Sequence, residues 1–191
     1  MGKLIYLITT SMDGYVADKN GSFSWAMPTE ESHSFVNDKL RNVGTVLMGH
    51  KLYETMKVWD KIPTEGVGGP MDGPSPAMND YSKIWHAANK IVYSTTLNEL
   101  EIENATIERS FDPEMIKKAV AESDKDYDIG GPNLAGQAIK AGIVDEVHQI
   151  IVPKIIGGGN FWLPQDVVQE FKLVDSRTFD NGSVHLHFSK V

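Results

Sequence analysis

Two glycine-containing segments of the sequence have the composition of phosphate-binding turns. They are Gly49-His50-Lys51 and Gly130-Gly131-Pro132-Asn133-Leu134. Each segment follows a short apolar stretch that predicts a strand, and each precedes a predicted helix. Glycine lets the backbone approach a ligand closely, and the free amides at a helix start attract an anion. Lys51 adds a positive charge where a phosphate would lie. Together the segments favour a dinucleotide, although each alone is also compatible with an ordinary strand-to-helix turn.

Two polar clusters also follow predicted strands. Ser94 and Thr95 belong to a run of hydroxyl side chains that suits a ribose or its 2′-phosphate, and the same composition is typical of a capping turn. Asp13 stands in Ser11-Met12-Asp13-Gly14, directly after the first predicted strand, where an open sheet presents catalytic residues. Asp-Gly is equally common in simple turns.

The histidines do not predict a metal site. His185 and His187 alternate on a predicted strand and share a face, but no third ligand is recognisable near them, so we expect a solvated strand face. His33, His86 and His148 are isolated in the sequence. The absence of cysteine excludes thiolate nucleophiles, thiolate zinc sites and iron–sulfur clusters. A G-x-S-x-G nucleophile motif is absent, so nothing supports a hydrolase.

Composition narrows the classes of partner. A length of 191 residues with 41% hydrophobic and 23% charged residues predicts a single globular domain over residues 1–191. A net charge of −8 offers no basic face for a nucleic acid. No apolar stretch reaches the roughly 18 residues of a membrane span, and the first apolar run is too short for a signal peptide. We therefore expect a cytoplasmic protein without a nucleic-acid or membrane partner.

The elements that must position these residues alternate between strand and helix. Strands are predicted at 4–9, 45–48, 90–93, 106–108, 127–129 and 147–152, and helices at 30–43, at 50–56, from 113 and at 132–142. Residues 63–76 contain four prolines and four glycines and predict a loop that could act as a lid. Asp180-Asn181-Gly182 predicts a hairpin between strands at 172–178 and 183–189. This order indicates an α/β fold, a mostly parallel sheet flanked by helices, with a C-terminal antiparallel hairpin.

The motifs together resemble the dihydrofolate-reductase-like superfamily, specifically the C-terminal reductase domain of the bifunctional riboflavin-biosynthesis deaminase-reductase. The resemblance covers nearly the whole chain and rests on the order of Ser11-Met12-Asp13-Gly14-x-x-Ala17, Met48-Gly49-His50-Lys51-x-Tyr53-Glu54, Lys90-Ile91-Val92-Tyr93-Ser94, Ile129-Gly130-Gly131, Ala141-Gly142-Ile143-Val144-Asp145-Glu146, Pro153 and Gly157-Gly158-Gly159. It implies a dihydrofolate-reductase-like fold, NADPH as cofactor, a small-molecule substrate and a homodimer.

The resemblance also assigns residues to parts of the cofactor. It places Gly49, His50 and Lys51 at the adenosine side, Ser94 and Thr95 near the 2′-phosphate, Gly130, Gly131, Pro132, Asn133 and Leu134 at the pyrophosphate, and Val16 and Ala17 along the nicotinamide. His50 and Thr95 stand where the family carries arginine. Trp25 and Tyr53 are expected to wall the substrate pocket, and Asp13 to orient the substrate or supply a proton.

Three functions remain open at this point. The first is a stand-alone reductase that transfers a hydride to a C=N or C=O group of a small heterocyclic or sugar-derived substrate. The second is a dihydrofolate reductase, which needs a carboxylate of the first helix, such as Glu30, Glu31 or Asp38, to face the substrate. The third is a non-catalytic dinucleotide-binding sensor or interaction protein. A deaminase is excluded because the H-x-E and P-C-x-x-C motifs are absent.

Overall fold

Strands and helices alternate along most of the computed structural model, which describes residues 1–65 and 75–191. The strands are β1 (Leu4–Ser11), β2 (Tyr15–Ala17), β3 (Val43–Gly49), β4 (Asn89–Tyr93), β5 (Ala105–Glu108), β6 (Asp126–Gly130), β7 (Glu146–Val152), β8 (Asn160–Phe161), β9 (Phe171–Thr178) and β10 (Val184–Lys190). The helices are α1 (Glu30–Leu40), α2 (His50–Met56), α3 (Pro76–Ala87), α4 (Pro113–Glu122) and α5 (Pro132–Lys140). Two short 3-10 helices, Ser24–Ala26 and Lys57–Lys61, precede α1 and follow α2.

The main sheet has eight strands in the order β5-β4-β3-β6-β1-β7-β10-β9. The strands from β5 to β7 pair in parallel, whereas β10 pairs antiparallel with both β7 and β9. This confirms the predicted α/β sheet with its C-terminal antiparallel hairpin, and Asn181-Gly182 lies in the connecting turn as expected. Strands β2 and β8 form a separate two-stranded sheet beside the end of β1.

Helix starts follow local capping chemistry. The side chain of Thr29 caps α1 in a reciprocal pair with Ser32, and Asp112 accepts from the first amides of α4. The prediction missed α3, because Pro76 was assigned to the proline- and glycine-rich loop. Proline suits the first helical position, where its missing N–H costs no hydrogen bond, and Ser75 caps the helix. Residues 66–74, which make up most of the predicted loop and lid, lie outside the described residues.

Helices pack on both faces of the sheet and bury two apolar clusters. One cluster joins strand residues Leu4, Tyr6, Leu47 and Ile129 to α4 and α5 through Ile116, Val120, Leu134, Ala135, Ala138 and Ile139. The other joins Met48 and Val92 to Tyr53, Trp85 and Ile102. No helix in the described part of the chain is long and apolar enough to cross a lipid bilayer.

Three histidines stack where β7 meets β10. The ring of His148 lies 4.1 Å from that of His187 and 5.2 Å from that of His185, measured between centroids. His185 is only 1% exposed, so the expectation of a solvated strand face and of an isolated His148 is wrong. The error has a physical cause, since the pairing of β10 with β7 joins residues that are far apart in the sequence. Burial and the neighbouring imidazoles lower the pKa of His148 to about 4.

A carboxyl group with one fully buried oxygen also lies inside the fold. Asp128 of β6 borders a small cavity of about 10 Å³ together with Val46, Tyr81 and Trp85. Its Oδ1 is buried and accepts no hydrogen bond from any described residue. Burial disfavours the charged carboxylate and raises the pKa of Asp128 to about 7. Ionisation of Asp128 at higher pH should therefore destabilise the native state.

We expect Asp128→Asn to stabilise the protein more at pH 8 than at pH 4.5. Asp128 titrates near 3.8 when unfolded and near 7 when folded. The wild-type free energy of unfolding therefore falls as pH rises between these values, by at most about 4 kcal/mol. Asparagine does not ionise, so the variant escapes this loss. Urea unfolding at the two pH values measures the effect, with exposed Asp124→Asn as control. An equal difference from wild type at both pH values would contradict the expectation.

Candidate functional site

The predicted site residues lie along the carboxyl edge of the parallel strands. Met48 of β3 is the register partner of Gly130 of β6, and Gly49 is the register partner of Tyr93 of β4. On the other side β6 pairs with β1, which leads into Asp13. The two glycine turns are therefore immediate neighbours, with the hydroxyl cluster beside the β3 turn, whereas β1 runs on to Ser11 and brings Asp13 to the far end of the row.

The predicted site residues form a row along the carboxyl ends of neighbouring strands, and the length of this row suits an extended ligand. From β5 to β1 it crosses four strand spacings, in the order β5-β4-β3-β6-β1, which amounts to roughly 19 Å. Open parallel sheets bind ligands at this edge, outside the carboxyl ends of the strands. A ligand lying along the edge would meet hydroxyls first, then two helix starts, and finally the segment after β1.

The turn between β6 and α5 needs both of its glycines. Gly131 has φ +85° and ψ +130°, a backbone conformation that side chains rarely tolerate. A Cβ on Gly130 would collide with the side chain of Leu52 on α2, so Gly130 lets α2 pack against the turn. As the N-cap of α5, Gly131 supplies no capping side chain, which leaves the amides of Asn133 and Leu134 available to an anion.

The turn between β3 and α2 is open toward solvent. Gly49 is the N-cap of α2 with φ −81° and ψ 166°, which any residue can adopt. A Cβ placed on Gly49 would have no described atom within 4 Å. His50 is half-buried, and its Nδ1 lies 3.4 Å from the hydroxyl of Thr96, so this turn contacts the cluster that follows β4. Lys51 is exposed beside it.

The hydroxyl cluster includes an arginine that the sequence analysis missed. The Ser94 hydroxyl accepts from the amides of Thr96 and Leu97, so it does act as a capping group. Arg109, which follows β5, donates from Nη1 to the carbonyls of Ser94 at 2.8 Å and Leu97 at 2.7 Å. Thr95 is exposed next to these groups. A basic residue directly after a predicted strand was the available signal for Arg109, but only the pairing of β5 with β4 places it here.

Asp13 lies at the β1 end of the row and organises a glycine-rich loop. Its carboxylate accepts from the amides of Ile156 at 3.2 Å and Gly157 at 2.8 Å. Hydrogen bonds from the Ser11 side chain and from these amides lower the pKa of Asp13 below its ordinary value. Asp13 is therefore ionised at neutral pH, and its geometry favours a positioning role over proton supply.

The residues assigned to the nicotinamide lie next to this loop. Val16 and Ala17 belong to β2, and Ala17 is the register partner of Asn160 on β8. A Cβ on Gly159 would collide with the backbone of Ala17, so the glycine permits close packing of the two segments. The pairing keeps Val16 and Ala17 beside the carboxyl end of β1.

The two residues expected to wall a substrate pocket have different surroundings. Tyr53 is only 1% exposed, and its hydroxyl accepts from the amide of Glu101 at 2.9 Å. The ring of Tyr53 is thus packed in the apolar cluster with Met48, Trp85 and Val92, and its role as a pocket wall stays a prediction. Trp25 is partly exposed in the 3-10 helix, and its carbonyl accepts from Lys154, the second residue after β7. Its role at the substrate end stays a prediction.

The three carboxylates of α1 are engaged elsewhere. Glu30 accepts from the amide of Ala77 at 2.7 Å, Glu31 from Arg177 at 2.8 Å, and Asp38 from Arg41 at 3.0 Å. These partners lie on α3, on β9 and just after α1. Each of the three carboxylates therefore already has a protein partner.

Comparison with known proteins identifies a matching protein family and a similar bacterial protein. The chain matches the family described as the RibD C-terminal domain over residues 2–125 and 127–185. It is 27% identical over 187 residues to the uncharacterized protein YyaP of Bacillus subtilis (strain 168), a match that covers 96% of this chain and 93% of YyaP.

Solved structures share the fold. A putative riboflavin biosynthesis protein from Shewanella sp. PV-4 superimposes with a TM-score of 0.73 at 19% identity, covering 99% of both chains. Dihydrofolate reductase from Enterococcus faecalis, complexed with NADP(H) and RAB-propyl, superimposes with a TM-score of 0.66 at 14% identity, covering 99% of this chain and 96% of that one. The sheet and its flanking helices are thus dihydrofolate-reductase-like.

Proposed function

Because the chain belongs to the RibD C-terminal domain family, we propose that it is an NADPH-dependent reductase acting on a small heterocyclic or sugar-derived substrate. The cofactor, when bound, supplies a hydride to a C=N or C=O carbon. The protein contributes binding, orientation and electrostatics. The Enterococcus faecalis dihydrofolate reductase, which shares the fold, is complexed with NADP(H), and the similar Shewanella structure is a putative riboflavin biosynthesis protein. Both support this choice of cofactor and of substrate class.

One observation carries the proposal: the register that pairs Met48 with Gly130 puts two helix starts side by side. Both helices have glycine at the N-cap, and in neither does a described side chain occupy the cap. Two neighbouring phosphates can each accept from one set of free amides, so the residues present fit a diphosphate. Lys51 would add charge at the same place.

Arg109 fits the 2′-phosphate that distinguishes NADPH from NADH. The family arginines are missing at His50 and Thr95, but Arg109 reaches the same cluster from the neighbouring strand. Two carbonyls hold its Nη1, which fixes the guanidinium plane beside the exposed Thr95. A phosphate there would accept a charge-assisted hydrogen bond, whereas a plain ribose hydroxyl would gain much less.

The β1 end would hold the reacting groups. Val16 and Ala17 line the nicotinamide in this proposal, and Trp25 borders the substrate. The ionised Asp13 holds the amides of Ile156 and Gly157 and so orders the loop against which the substrate would bind. Because its hydrogen bonds lower its pKa, Asp13 is ionised at neutral pH and has no proton to donate.

A second candidate function is nucleotide sensing without turnover. The observation that favours it is the engagement of Glu30, Glu31 and Asp38 with protein partners, together with the ionised state of Asp13. These carboxylates are the acids that the sequence analysis considered as proton donors.

One experiment separates the two candidates. NADPH binding is measured by fluorescence titration, and NADPH oxidation is followed with a panel of pyrimidine, pterin and sugar-derived C=N and C=O compounds. A reductase binds NADPH and oxidises it with at least one compound. Binding without oxidation across the panel favours the sensor, and the absence of binding contradicts both candidates.

We expect Gly49→Asp to bind NADPH at least tenfold more weakly than Gly49→Asn. Position 49 tolerates either residue, and both are good N-caps, so the pair differs only in charge. A carboxylate beside the diphosphate repels it, and a tenfold loss corresponds to about 1.4 kcal/mol. Gly131 is less suitable for this test because its φ of +85° would strain any side chain. Equal affinities of the two variants in a fluorescence titration would place the diphosphate elsewhere.

We expect Arg109→Gln to lower the affinity for NADPH by roughly tenfold and to leave that for NADH nearly unchanged. Glutamine keeps hydrogen bonding but removes the charge, and a hydrogen bond to a charged group contributes about 1.5–3 kcal/mol. Isothermal titration with both nucleotides gives the ratio. Arg41→Gln, in which the changed residue pairs with Asp80, serves as control. Similar losses for NADPH and NADH would show that Arg109 does not recognise the 2′-phosphate.

A further inference from the structure

A cluster of metal-ligating side chains lies at the amino ends of the parallel strands, opposite the carboxyl ends where the glycine turns lie. Glu146 is the first residue of β7, whose last residue, Val152, reaches the carboxyl edge. Six residue steps along a strand separate the two ends by roughly 20 Å. The cluster is therefore remote from the nucleotide row, and nothing inferred about it depends on the proposed reductase activity.

Strand pairing brings the three side chains of this cluster together. Glu146 and His148 are two residues apart on β7, so their side chains point to the same face. His187 is the direct register partner of His148 on β10 and points to that face as well. The juxtaposition is set by backbone hydrogen bonding between two central strands and does not depend on a loop.

We propose that Glu146, His148 and His187 form a binding site for a divalent transition-metal ion of the zinc class. Their ligand atoms all lie within 4.8 Å of one another. The Oε2 of Glu146 is 3.3 Å from Nε2 of His187 and 3.5 Å from Nε2 of His148. Zinc–ligand bonds of about 2.0–2.1 Å in a tetrahedron separate neighbouring ligand atoms by roughly 3.4 Å. The two distances already have this length, but the rings of His148 and His187 stack at 15° to one another, so their Nε2 lone pairs converge on one ion only after the rings rotate.

Neighbouring side chains hydrogen-bond to the proposed ligands and orient them, as the hydrogen-bond partners of metal ligands do in known metal sites. Nδ1 of His148 lies 3.0 Å from Nε2 of His185, and in the tautomer in which Nδ1 of His148 donates, the Nε2 lone pair of His148 is free for an ion. Lys3 donates to Oε1 of Glu146, so the other oxygen, Oε2, faces the two imidazoles. The lysine charge opposes a cation, which argues for moderate affinity.

His187 provides an independent observation. Its Nε2 is buried and makes no hydrogen bond to residues 1–65 and 75–191; its polar neighbour is Oε2 of Glu146 at 3.3 Å, with which it forms an ion pair only when the imidazole is protonated. Buried polar atoms are nearly always satisfied, so an unpartnered ring nitrogen that faces a carboxylate oxygen needs an explanation. A metal ion between Nε2 and Oε2 would satisfy it.

The donor set selects the kind of ion. Two imidazoles and one carboxylate suit zinc and similar ions, whereas calcium and magnesium prefer all-oxygen sites. The side chains of His187 and Glu146 are 15% and 14% exposed, so an ion can enter and a water can complete the coordination. Bound there, the ion would join β7 of the parallel part of the sheet to β10 of the C-terminal hairpin and so stabilise their pairing.

Zinc binding to the untagged, metal-free protein tests the site. By isothermal titration, we expect one Zn²⁺ per chain, and at least tenfold weaker binding by His187→Ala and by Glu146→Gln. Co²⁺ should give the visible absorption of a tetrahedral complex in the wild type and lose it in both variants. Zn²⁺ should raise the thermal unfolding midpoint of the wild type only.

The controls keep the outcome decisive. His86→Ala removes a histidine at the end of α3, away from the cluster, and should bind Zn²⁺ like the wild type. If His187→Ala does not fold, as judged by circular dichroism, Glu146→Gln decides, because glutamine keeps the shape of the side chain. A wild type that binds no Zn²⁺ below 1 mM (~4 kcal/mol), or variants that bind it as tightly as the wild type, would overturn the proposal.

Discussion

The parallel register between β3 and β6 is the constraint on which the candidate site depends. With Met48 opposite Gly130, both strands end at the same level, and the helices that follow them begin side by side. The missing side chain of Gly130 allows Leu52 of α2 to lie against the β6 turn. A shift of one residue in this register would separate the two sets of free amides. The proposed diphosphate site thus depends on strand pairing more than on any single side chain.

This arrangement also explains how an acidic chain can attract an anionic ligand. The net charge of −8 is unfavourable for a dinucleotide at long range. Along the carboxyl edge, however, the local groups are helix amides, Lys51 and Arg109, and the carboxylate of Asp13 is occupied by backbone amides. If the proposed dinucleotide binds, these short-range hydrogen bonds must outweigh the overall charge, which salt screens beyond about 10 Å.

Local signals predicted the elements and the turns, and tertiary pairing determined what local signals could not. The glycine turns and the Asn181-Gly182 hairpin follow from backbone preferences that neighbouring residues reveal. The position of Arg109 beside Ser94 depends on the pairing of β5 with β4, and the burial of Tyr53 depends on the packing of α2. The histidine cluster needs β10 next to β7, an antiparallel contact that no spacing within one segment indicates. Helix α3 was missed for a local reason, because its first residue lies within the proline- and glycine-rich stretch 63–76, whose composition indicates a loop.

A crystal structure of the protein with NADPH tests the central claim most directly. The account predicts that diphosphate oxygens lie within hydrogen-bond distance, about 3.2 Å, of backbone nitrogens in both residues 49–51 and residues 130–134. A diphosphate bound away from these turns, or one that contacts only a single turn, would contradict it.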